Sequence, residues 1–284
     1  MLDQTHRFSP APFTEVDVTQ LLQRICVRPP YFALDTLRLE GDLFRATAVA
    51  QRHMSNEAGA MQACEISRHA AICGLCAAAL AFNDDDRRYY LARDAVYTGY
   101  ANPTPYGATV SFEARVVEQN KRHATAEITV TAGGADLAFL RVTYTILGDS
   151  SFKRLFRSKY STGFTALAGD RMPDPPTGQF SSAGQTEVLT LDKVPEEACA
   201  GHFEHYPAMP VAVLMGQLGL VAGRLHGTPY RVEAATMTAM DFCWAGESAR
   251  FEVTPLTALG AYSCTAYASD EVVSEMSLNL APVE

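Results

Sequence analysis

The stretch 201–223, GHFEHYPAMPVAVLMGQLGLVAG, decides how this chain is read. It opens with a tight loop of His, Phe and Pro at 201–207, then enters at Pro210 an almost wholly apolar run that continues to residue 225. Proline suits the first position of a helix, where its missing N–H has no partner to lose, and Gly227 just past the run suits a left-handed stop. A helix that is apolar nearly all round has to be enclosed rather than laid on a surface. The pattern therefore predicts a buried helix over 210–225, entered from a loop that carries His202 and His205.

Working outward, a short strand is predicted at 186–191, ahead of that loop. Strand-like runs follow the helix at 230–243, 249–256, 261–268 and 271–280. The first half of the chain has the same order. Residues 31–50 read as one or two strands broken near Glu40 and Gly41, and a loop at 53–61 carries His53. A second apolar helix, QACEISRHAAICGLCAAALAF at 62–82, is stopped by Asn83 and three aspartates, Asp84 to Asp86, which read as a helix-ending turn rather than a metal site. Strands are predicted at 88–97, 108–117, 124–131 and 135–147; within the third, ATAEITVTA alternates in part between polar and apolar residues, as a half-buried antiparallel strand should. Each half thus holds a short strand region, one long buried helix and about four antiparallel strands. One sheet wrapped round one helix satisfies that order, so the fold class is α+β, built twice. Between the halves, GDSSFKRLFRSKYSTGF is basic and DRMPDPPTGQFSSAGQ is rich in Pro, Gly and Ser. The expected organisation is a first unit at 1–150, a linker at 151–183 and a second unit at 184–284.

Composition bounds the function. With 284 residues, 48% hydrophobic and 19% charged, the chain can bury two sizeable cores. A net charge of −9 argues against a nucleic-acid groove. No apolar run of about 18 residues lacks a polar break, so no membrane span is expected. The N-terminus lacks the basic start and apolar core of a secretory signal, and seven cysteines, an odd count in mostly apolar surroundings, suggest reduced thiols in the cytoplasm. Cys73 and Cys76 form a CxxC within the apolar helix, without a second ligand pair; they read as small core residues, and no metal or cofactor is expected.

The 201–223 segment resembles the active-site segment of bacterial 3-hydroxyacyl-ACP dehydratases, with His202, Phe203, Pro207 and Pro210 at matching places. DRRYYLARDAVYTGYANPTPYGATVSFEA at 86–114 resembles the strand pair that follows the helix in that family, and YRVEAATMTAMDFCWAGESARFEV occupies the same place in the second half. The resemblance implies a double hot-dog: two tandem units, each a sheet wrapped round a long helix, with acyl-thioester sites at their shared interface. It implies acyl-ACP or acyl-CoA as substrate, and leaves open whether two copies pair.

The family's catalytic carboxylate lies fourteen residues beyond the loop histidine. Counting from His202 reaches Gly216, and counting from His53 reaches Ser67, so neither expected carboxylate is present. The nearest substitutes are Glu65 and Gln217. Carried over, His202 would face the Glu65–Ser67–His69 stretch and His53 would face Gly216 and Gln217. The first pairing, a His202 base with a Glu65 acid, is expected to be the competent site, for dehydration or hydration of a 3-hydroxyacyl thioester. Glu65 and His69 are four apart on one helix face; they read either as an acid–base couple or as a buried histidine satisfied by its neighbour. Ser67, Gly216, Gln217 and His205 are candidate substrate contacts, and Glu57 is expected to matter less than Glu65. Lys153, Arg154 and Arg157, with Lys159, either meet CoA phosphates or a carrier protein's acidic surface or form a solvated linker helix. Two alternatives use the same cleft: a thioesterase with Glu65 as base and Gln217 or Ser67 orienting water, and a non-catalytic subunit that binds acyl thioesters or their carrier.

Overall fold

The structure is a computed structural model that describes residues 13–53, 55–164 and 171–283. The N-terminal residues 1–12 considered as a signal, Met54 of the first loop, residues 165–170 of the expected linker and the last residue lie outside it. The first half runs β1 (Thr14–Glu15), α1 (Val18–Arg24), β2 (Asp35–Glu40), β3 (Leu43–Ala48), α2 (Ala63–Leu80), β4 (Arg88–Gly99), β5 (Val110–Gln119), β6 (His123–Ala132) and β7 (Ala135–Gly148). The second runs α3 (Asp149–Leu155), β8 (Gln179–Ala183), β9 (Thr186–Leu191), β10 (Ala208–Met209), α4 (Val211–His226), β11 (Tyr230–Ala239), β12 (Cys243–Trp244), β13 (Ala249–Pro255), β14 (Ala261–Ala268) and β15 (Glu271–Pro282).

Thirteen strands form one antiparallel sheet in the order β1-β2-β3-β5-β6-β7-β4-β11-β15-β14-β13-β9-β8, while β10 and β12 pair separately. Read outward from the central β4–β11 pair, the order is β4-β7-β6-β5-β3-β2 one way and β11-β15-β14-β13-β9-β8 the other. The two progressions match strand for strand, which makes the chain a double hot-dog. The halves are joined by backbone pairing, with Thr98 opposite Ala234 and Asp94 opposite Thr238.

α2 is enclosed as its pattern predicted, whereas α4 is enclosed on one side only, with Leu220 and Arg224 exposed. α2 lies against β3, β5 and β6, α4 lies against β9 and β13, and the helices also touch each other. α2 is long and apolar enough to cross a membrane by composition, but most of its surface is covered by the sheet. Its small residues let the strands come close. At Gly74 a Cβ would collide with the Tyr144 hydroxyl, which donates to the Ala71 carbonyl at 2.7 Å. α4 ends at Gly227 in the left-handed conformation (φ 74°), whose amide bonds the Gly223 carbonyl.

Three segments differ from the sequence reading. α1 was not expected: it is a seven-residue helix, capped by Asp17, that buries only Leu21 fully, too few apolar positions to show a period. The stretch read as linker opens with α3, whose Phe152 is fully buried and stacks on Tyr89 at 3.6 Å while meeting Phe203 and Tyr206 edge-on. It closes with β8, paired to β9 and topologically the partner of β2. Its pairing is with the backbone of β9, so a Gly/Ser-rich composition does not prevent it. The seven cysteines are all free.

A candidate active site at the start of the first core helix

β3 ends at Ala48, and the chain then crosses to α2 through a loop fixed at both ends. At its start, the Glu65 carboxylate accepts the Gln51 amide at 2.6 Å and the Arg52 amide at 3.5 Å. Further along, Ala58 donates to the Tyr230 carbonyl (2.7 Å) and Tyr230 donates to the Asn56 carbonyl (3.0 Å), so residues 56–58 lie beside the first residue of β11. The Gln62 amide group donates to Ser55 Oγ (2.8 Å) and to the His53 carbonyl (3.3 Å). These bonds set Glu57 in front of α2. Its Oε1 accepts the Ala63 amide at 2.6 Å and so caps a helix whose own N-cap residue, Gln62, supplies no side-chain bond. The Cys64 amide, next in the first turn, donates to no group among the described residues.

This helix end opens into a cavity of about 690 Å³ between the halves. Its polar end holds Arg52, His53, Ser55, Glu57, Gln62 and Ser67; its apolar walls come from α4 (Met215, Gly216, Gly219, Leu220, Gly223) and from β4, β11 and β15 (Tyr97, Val232, Ala235, Met276, Leu278), with Asp174 and Arg224 also on the lining. Burial pushes the Glu57 carboxyl up to about 7, against the opposing pull of the Ala63 amide and the Arg52 cation. A carboxyl poised there can take or give a proton near neutrality, and a first-turn helix amide beside it can polarise a carbonyl. Arg52, itself buried, places Nη1 3.3 Å from Cys64 Sγ, where the absence of a side chain at Gly216 leaves room for it.

Of the residues expected from the sequence, His53, Ser67 and Gly216 line this cavity together with the less favoured Glu57. The others do not line it. Glu65 is fully buried and engaged: besides the two amides it pairs with Arg68 at 3.4 Å, and His69 Nε2 lies 4.0 Å away. Arg68 also donates to Gln51 Oε1 (2.7 Å) and to His69 Nε2 (2.9 Å). Burial first, and the Arg68 cation second, hold His69 well below the usual histidine range, so it is neutral and accepts at Nε2. His69 is buried, but its hydrogen bond comes from Arg68 rather than from Glu65, and its Nδ1 has no partner among the described residues.

His202 and Glu65 share no hydrogen bond or ion pair among the described residues. His202 donates from Nδ1 to the Ala208 carbonyl at 3.0 Å and packs against Tyr31 and Phe203; burial pushes it down to about 4. Gln217 turns away from the cavity, fully buried, and donates to the Pro176 carbonyl. His205, in the left-handed region (φ 63°), packs on Tyr160. Lys153, Arg154 and Arg157 are exposed around α3, Lys153 paired with Asp149; Lys159 pairs with Glu247.

Sequence reasoning had no handle on Arg52, Cys64, Tyr97 or the residues of β11 and β15 as site residues, because their convergence comes from the β4–β11 junction. For Glu57 the spacing was the obstacle. It stands six residues before Ala63, outside any capping-box interval, and only the pairing with Tyr230 brings it onto the helix end.

No protein-family model matches the chain, and no curated protein sequence does. Solved structures do. An acyl-ACP thioesterase from Bacteroides thetaiotaomicron superimposes with a TM-score of 0.60 at 12% identity, covering 85% of this chain and 99% of that one. The 12:0-ACP thioesterase of Umbellularia californica gives 0.58 at 11% identity, covering 86% and 99%. A TesB protein from Mycobacterium avium subspecies paratuberculosis gives 0.54 at 11%, covering 86% and 94%. At these identities the likeness is one of fold, and it extends over nearly the whole of each chain: the protein has the double hot-dog fold that these proteins share.

Proposed function

We propose that the protein hydrolyses acyl thioesters, carried on CoA or on an acyl carrier protein, with the thioester carbonyl at the start of α2 and Glu57 as general base. The observation that carries the proposal is the Glu57 carboxyl, raised to about 7 at the polar end of a largely apolar cavity and set beside the Cys64 amide, which has no partner among the described residues. In its ionised form Glu57 takes a proton from water as the oxygen attacks the carbonyl carbon. The oxygen of the tetrahedral intermediate accepts from the Cys64 N–H. Collapse breaks the C–S bond, and protonated Glu57 returns its proton to the departing sulfur, leaving a free acid and a thiol. The structural neighbours named for acyl-ACP hydrolysis support the choice of substrate class, though not the choice of residues. We place the chemistry at Glu57 in preference to Glu65 because the Glu65 oxygens are occupied by two amides and a guanidinium. In this scheme Glu65 holds the loop that carries Arg52 and His53, and His202 braces the loop before β10.

A second reading, hydration of a 2-enoyl thioester or its reverse, draws on His53, a second proton-transfer group lining the same cavity. Thiol release from acyl-CoA and loss of enoyl absorbance from crotonyl-CoA, followed in parallel, separate the two. Glu57→Gln keeps a carbonyl oxygen for the Ala63 amide, so the helix cap survives while the base is lost. Hydrolysis is expected to fall by about 10²-fold or more in this variant, and wild-type activity to rise with pH through about 7. Full turnover in Glu57→Gln would remove Glu57 from the mechanism. Tight acyl-CoA binding without either reaction would make the protein a binding subunit.

A further inference from the structure

Three glycines of α4, Gly216, Gly219 and Gly223, recur at helical spacing and line the cavity. Glycine is a poor residue for a helix interior, so each position calls for a reason. At Gly216 a Cβ would lie 2.8 Å from Arg52 Nη1 and 3.4 Å from Cys64 Sγ; at Gly223 it would lie 2.5 Å from the Tyr230 hydroxyl. Those two glycines are explained by packing. At Gly219 a Cβ would meet nothing within 4 Å. No neighbour excludes a side chain there, and the space it would enter is the cavity. On the same cavity wall stand two large apolar residues with exposed surface, Leu220 at 46% exposure and Phe180 at 38%, the latter with the Arg224 guanidinium over its ring. Open space beside one turn of a helix, next to apolar side chains on a cavity wall, matches a slender apolar ligand.

Resting on the thioester reading above, we infer that the substrate is a medium-to-long unbranched acyl thioester whose chain lies along α4 over Gly219, and that Gly219 sets the chain-length limit. Gly216, packed against the first turn of α2 where the carbonyl is placed, stands one turn before Gly219 on α4. The step from Gly216 to Gly219 rises about 5 Å along α4, so an acyl chain longer than about four extended carbons reaches Gly219.

The test compares butanoyl-, octanoyl-, dodecanoyl- and hexadecanoyl-CoA on the wild type, Gly219→Ala and Gly219→Leu, by thiol release and, independently of turnover, by calorimetric binding. For the wild type, affinity should rise from butanoyl to dodecanoyl. In Gly219→Leu the ratio of dodecanoyl to butanoyl kcat/KM should fall by about tenfold or more, with the same trend in Kd. Gly219→Ala should shift the profile only slightly while raising the melting temperature, because its methyl group enters open space and favours helix. Parallel profiles in wild type and Gly219→Leu, or no gain in wild-type affinity from butanoyl to dodecanoyl, overturn the assignment of Gly219 and leave thioester hydrolysis standing. A wild type that neither binds nor cleaves any of the four overturns both.

Discussion

Two glutamates eight residues apart show how much the surroundings of a side chain decide. Glu65 is enclosed with a guanidinium and two backbone amides, which compensate its charge and tie it to a structural duty. Glu57 accepts one backbone amide at the polar end of the cavity, and burial outweighs that amide and the Arg52 cation to raise it from 4.5 to about 7. That shift has a consequence for stability. Between these two values the folded state holds a proton that the unfolded chain has already released, so stability is fullest below about 4.5 and declines as pH rises through about 7. The loss amounts to at most about 3 kcal/mol. The pH dependence of urea unfolding measured for wild type and Glu57→Gln should differ by this component, with the variant losing less stability between pH 5 and 8. Identical pH dependences would show that Glu57 titrates alike in both states. The distinction between the two carboxylates is invisible along the sequence, because the Arg68 that compensates Glu65 is local whereas the Tyr230 that places Glu57 belongs to the other half.

At the scale of elements, the two core helices do different work with similar compositions. α2 uses its small residues for contact: Gly74 brings β7 close enough for Tyr144 to bond the Ala71 carbonyl. α4 uses part of its glycine face to leave space. Alanine substitution should therefore act in opposite directions. Gly74→Ala gains helix propensity but drives a methyl group into the Tyr144 hydroxyl, and a net loss of about 1–3 kcal/mol is expected from such overpacking, readable as a lower urea midpoint. A gain in midpoint would show that Tyr144 moves aside at no cost. Both helices were legible from their all-round apolar character, and α4's end from Gly227. What distinguishes them was not legible, since a glycine that admits a strand and a glycine that borders a void look the same in a sequence.

For the whole molecule, we propose two units that meet at β4–β11, with the second beginning at β8 rather than after it. The matching strand order either side of that seam supports this division. Neither unit closes by itself: removing the first leaves the β11 edge unpaired and the cavity-facing side of α4 uncovered. A fragment of residues 171–284 is accordingly expected to associate or aggregate when expressed alone, and sedimentation that showed a monomer with cooperative unfolding would contradict this. By itself the sequence determined the repeat, the two apolar helices and most strands, because periodicity, helix stops and turn residues act over a few neighbouring positions. Only the tertiary structure decided which glutamate meets the cavity, that His202 and Glu65 are not bonded partners, and which face of α4 stays open. Each of these depends on residues from both halves brought together across the central strand pair, and no local pattern encodes where such a meeting places a charge or leaves a gap.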